Sequence, residues 1–116
     1  MKGIYLINDR LILNGFSQEE SISLQKEAIL NYMSQKNIEI LTLNPYQLND
    51  YYTNFHALLY DLKMKQKQWD CFLYYSDHVV EDFIYTYPAK WVILKSFFNE
   101  VIAVENQNDL NIQRVI

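Results

Sequence analysis

The chain has 116 residues, half of them hydrophobic and 16% aromatic, so it can build one domain with a real core, and it is no disordered tail. Its net charge of −4 argues against a free-standing nucleic-acid binder, which would carry a basic face. The single cysteine excludes an intramolecular disulfide. The short apolar run at the start is too brief for a signal peptide or a membrane span, so cytoplasmic residence without membrane contact is the expectation.

Strand and helix patterns alternate along the chain. Residues 4–7 read as a buried strand, followed by a polar loop over 8–15. Ser17 with Glu20 fits a capping box, and the helix behind it carries Ile22, Leu24, Ala28, Ile29, Tyr32 and Met33 at helical spacing. Asn37 is a stop, and residues 38–43 alternate as a second strand. After Asn44-Pro45 a second helix is expected from Asn49-Asp50, with Tyr51, Tyr52, Phe55, Leu58, Leu59 and Leu62 as its apolar stripe. Its basic end, Lys63, Lys65 and Lys67, suits a helix C-terminus.

Residues 69–75 form a nearly continuous apolar strand, as a central parallel strand requires. Cys71 lies within it and reads as a buried, inert thiol. A helical region over 79–98 follows, with Pro88 dictating a kink or two shorter helices. Residues 101–104 are a fourth strand, and 105–116 a polar tail, either flexible or carrying a short edge strand. The order predicts one three-layer α/β domain spanning 1–116: a mostly parallel, flavodoxin-like sheet of four or five strands with helices on both faces.

Chemistry in such sheets sits at the carboxyl ends of the strands. Those ends carry Asp9, Ser76, Asp77 and His78. There is no glycine-rich phosphate loop, and His56, His78 and one cysteine make no zinc pattern, so no cofactor and no metal are expected.

The segments Tyr5-Leu6, Ser21-Ile22-Ser23-Leu24-Gln25-Lys26-Glu27-Ala28, residues 56–63, 72–78 and 100–105 resemble, in order and spacing, the catalytic domain of serine recombinases, the resolvase and invertase family. The resemblance implies a resolvase-like fold. It also implies a protein of bacterial origin or one carried by a mobile element. It puts Ile7 where the family has its first arginine, Asp9 at the nucleophilic serine, and His78 and Glu81 at two further arginines. Phosphodiester attack needs the serine, and it needs arginines to hold the phosphate. Carboxylates at those places repel it. The family's long dimerisation helix and DNA-binding module have no counterpart up to Ile116.

The expectation is therefore a degenerate, non-catalytic resolvase-like domain, acting as a homodimer or through a protein partner. Ten tyrosines supply surface for this, with Tyr51, Tyr52, Tyr85, Tyr87 and Trp91 as the candidate interaction surface. Two alternatives are an accessory DNA-recombination protein and a metal-dependent phosphate enzyme with Asp9 and Asp77 as its acidic site.

Overall fold

A computed structural model of the chain describes residues 1–105. The expected edge strand in the tail falls outside them. In chain order the elements are β1 (Lys2–Tyr5), α1 (Gln18–Gln35), β2 (Glu39–Ile40), α2 (Phe55–Lys65), β3 (Trp69–Tyr74), α3 (Asp77–Thr86), α4 (Pro88–Ser96) and β4 (Phe98–Ala103). The strands form one parallel sheet in the order β2-β1-β3-β4.

Side chains alternate across the central strands and build two apolar layers. Ile4, Leu6, Phe72 and Tyr74 point to the face covered by α2, α3 and α4, whose Leu58, Leu62, Val80, Phe83, Trp91 and Leu94 complete that layer. Tyr5, Ile7, Cys71, Leu73 and Ile102 point to the opposite face, where α1 lays Ile29 and Met33 against them. The protein is thus a three-layer α/β domain, as the alternating pattern predicts. Gly3 in β1 leaves no room for a side chain. A Cβ there would meet Leu73 Cδ1 at 2.8 Å and Ile38 Cγ2 at 2.9 Å.

Local rules account for most helix ends. Ser17 Oγ accepts the Glu20 N–H at 3.2 Å and Glu20 Oε1 accepts the Ser17 N–H at 3.0 Å, closing the expected capping box. The same bonds hold the Glu20 carboxyl below its ordinary range. Asn37 follows α1 with a left-handed backbone, φ 56°, which ends the helix. Pro88 splits the third helical region and sits in the first turn of α4, where its missing N–H costs nothing.

Three boundaries differ from the expectation. The second helix begins at Phe55, not near Asn49. Asn54 caps it by accepting the N–H groups of His56 and Ala57 at 2.8 and 3.1 Å. The residues before it extend the sheet instead: Ile7 N–H donates to the Tyr52 carbonyl at 2.8 Å, and Tyr52 N–H to the Tyr5 carbonyl at 3.0 Å. Tyr52 thus takes over the β1 edge that β2 leaves after Ile40, which also explains why β2 has two residues rather than six. Finally, β4 starts at Phe98, because Trp69 pairs with Phe98 at the start of β3.

Candidate functional site at the strand ends

The loop after β1 is built by α1. Gln18, Ser21 and Gln25 share one helix face, and each bonds loop backbone. Gln18 Nε2 donates to the Asp9 carbonyl at 2.7 Å and Ser21 Oγ to the Leu11 carbonyl at 2.5 Å. Gln25, fully buried, accepts the Asn8 N–H through Oε1 and donates to the Asn8 carbonyl through Nε2, both at 3.0 Å. Asn8 Nδ2 then reaches across to the Val79 carbonyl of α3 at 3.1 Å. This lattice fixes the strand end relative to the first turn of α3.

Above it lies a cleft of about 390 Å³. One wall is Asn8, Asp9 and Arg10. A second is the start of α2, with Thr53, Asn54, Phe55 and His56. The third is α3, with Val79, Asp82, Phe83 and Thr86, closed by Tyr87. Rings make a continuous wall: Phe55 stacks on Phe83 at 4.5 Å, His56 meets Tyr87 edge-on at 4.7 Å, and Phe83 lies 5.6 Å from Tyr87. The sheet order places this cleft where α1 leaves β1 for one side and α2 crosses to β3 on the other. Such a switch point is where open α/β sheets bind ligands.

Of the residues singled out from the sequence, Asp9 and Tyr87 line this cleft. Ile7 is fully buried in the α1-side layer and is a core residue. His78 Nδ1 and Glu81 Oε1 pair with each other at 3.2 Å on the exposed surface of α3. Asp77, the exposed first residue of α3, is not among the lining residues. The carboxylate that shares the cleft with Asp9 is Asp82. Among the described residues no three His, Cys, Asp or Glu side chains converge as metal ligands. Ser76 N-caps α3 through its backbone. Its hydroxyl is buried with no hydrogen-bond partner among the described residues.

The candidate interaction surface needs correcting. Tyr52 and Trp91 are core residues, 7% and 8% exposed. Tyr52 is held by its sheet-like backbone bonds and by an O–H bond to Asp61 Oδ2 at 2.6 Å, and Trp91 packs among Phe55, Tyr74 and Phe83. Tyr51 is half-buried against Tyr5, with Lys26 over its ring. Tyr85 is 91% exposed and Tyr87 partly so.

The outer face of α4 was missed. Ala89, Val92, Ile93 and Ser96 recur at i, i+3, i+4 and i+7, are all exposed, and carry no charge. The helix's two lysines lie along its flanks, Lys90 over the Tyr87 ring at 4.9 Å and Lys95 over Trp91 at 5.6 Å. The signal was available: once Trp91 and Leu94 face the core, Val92 and Ile93 must face away. His56 and Asp82 were missed for a different reason, since only the tertiary fold brings the start of α2 beside α3.

Searches against protein-family models, curated proteins and solved structures found no match to this chain.

Proposed function

We propose that the domain works without catalysis, through protein–protein contacts made at the α3–α4 side of the molecule. The observation that carries this reading is the uncharged outer face of α4. Val92 is 62% exposed and Ile93 41%, on a helix whose opposite face is already used by the core. A helix apolar on both faces is normally covered on both. On the neighbouring α3, Tyr85 is also exposed and is of a residue type favoured at interfaces. The recombinase resemblance agrees with a binding role. Its catalytic positions hold a core isoleucine, a loop carboxylate and a surface His–Glu pair, none of which would clamp a phosphate.

A photo-cross-linking residue in place of Val92 tests this in the cell that makes the protein, with position 34 on exposed α1 as control. The expected outcome is a discrete adduct from position 92 and none from 34. Ile93→Lys should abolish it while leaving stability within about 0.5 kcal/mol, as for a surface change. Identical adduct patterns from the two positions would remove the reading.

A second reading, an accessory DNA-recombination protein, draws on the opposite pole. Lys36, Lys63, Lys65, Lys67 and Lys95 all sit at helix C-termini, beside the amino ends of the strands. Retention on duplex DNA at low salt, lost steeply as salt rises and weakened by Lys67→Glu, would favour it.

A further inference from the structure

Charge is segregated between α3 and α4. α3 carries Asp77, Glu81 and Asp82, all exposed, and no lysine or arginine. α4 carries Lys90 and Lys95, both exposed, and no acid. The two helices pack against each other, so an acidic helix lies beside a basic one. Helix dipoles account for only part of this. Asp77 in the first turn of α3 and Lys95 in the last turn of α4 suit their helix ends. Glu81 and Asp82 stand in mid-helix, and Lys90 stands in the first turn of α4, where the dipole disfavours a cation. Nor do the two sets neutralise each other within one chain. Among the described residues no carboxylate of α3 pairs with Lys90 or Lys95, which lie instead over the Tyr87 and Trp91 rings.

We infer that this surface pairs with a second copy of the chain about a two-fold axis, α3 of each copy against α4 of the other. In a two-fold contact one patch faces itself, so it must hold both members of every pair. Here the acids of α3 and the lysines of α4 are those members. Pairing α4 with α4 would set lysines against lysines, since that helix has no acid. A partner surface of one sign would meet like charge on one of the two helices. The charges set the arrangement, and exposed pairs of this kind add little affinity. Apolar area comes from the exposed Val92 and Ile93 of α4 and Tyr85 of α3.

This inference rests on the protein-interaction reading, and the two fail separately. The test is sedimentation equilibrium of the full chain with two charge-reversed variants, Glu81→Lys/Asp82→Lys on α3 and Lys90→Glu/Lys95→Glu on α4. The unaltered chain should form a reversible dimer that salt weakens. Each variant alone should self-associate about tenfold more weakly, because acid then faces acid or lysine faces lysine. An equimolar mixture of the two should recover the dimer, since every pair is again of opposite sign. That recovery also shows that both variants are folded. Ile93→Lys should dissociate the dimer as well. A chain that stays monomeric at every concentration overturns the inference, and so does growth beyond the dimer. Self-association unchanged in both variants, or a mixture no stronger than either alone, overturns the α3-on-α4 arrangement. A position-92 adduct with a different protein, from a chain that sediments as a monomer, removes this inference and leaves the reading it rests on.

Discussion

The Gln25 amide stands in for a strand edge. Its two 3.0 Å bonds to the Asn8 N–H and carbonyl are the pair that a neighbouring backbone would supply, and they come from a side chain buried within α1. Removing the amide leaves both Asn8 groups unpaired at a half-buried loop. Gln25→Ala should therefore cost about 2 kcal/mol, read as a lower urea midpoint at unchanged slope. A loss under about 0.5 kcal/mol would mean water replaces the amide freely. By contrast the His78–Glu81 pair is exposed on both sides, and such surface pairs contribute little. Position 25 was legible only in part. Ser21 and Gln25 fall on the same helix face as the core-facing Ile29, and polar residues there imply backbone partners. Which backbone they meet depends on a loop whose path no periodicity describes.

At the scale of elements, what was legible followed from short-range chemistry. The capping box at Ser17, the stop at Asn37 and the break at Pro88 are each decided within about one turn of chain, and each stands where expected. The apolar run of β3 announced a strand covered on both faces. The failures are long-range. Residues 49–53 have an apolar pattern that suits a helix, but the vacant β1 edge beside Tyr5 and Ile7 takes Tyr52 into the sheet. The Tyr5 hydroxyl fixes Asp50 in the same stretch. Pairing that spans some forty-five residues outweighs local propensity here. In α4 the core-facing stripe follows from spacing, and the same spacing turns two further apolar residues the other way: a nine-residue helix that buries Trp91 and Leu94 presents Val92 and Ile93 outward.

Across the whole molecule, buried hydroxyls and one thiol set the alkaline limit. Burial raises Tyr5, Tyr52 and Tyr74, with Asp50 and Asp61 adding to the first two, and Tyr74 is pushed up to about 12. Burial likewise pushes the Cys71 thiol up to about 11. Unfolded tyrosine ionises near pH 10 and unfolded cysteine near about 8.5. Below those values both states keep their protons and the contribution is whole. Above them the unfolded chain releases protons first, so stability falls as pH climbs toward the folded values. The urea midpoint should decline steadily from about pH 9 to 11, and Tyr74→Phe should flatten part of that decline. A midpoint unchanged up to pH 11 would contradict the buried, protonated state of these groups.

The two ends of the molecule differ in kind. Lysines gather at the helix C-termini, while the strand ends carry the cleft with Asp9, Asp82 and its ring wall. The central claim is that binding occurs at the α3–α4 side. Hydrogen exchange on the complex trapped through position 92, compared with the free chain, tests it most directly. The account predicts added protection in residues 79–96 and none in 63–68. Protection centred on the lysine-rich pole, or no protection anywhere, would contradict it.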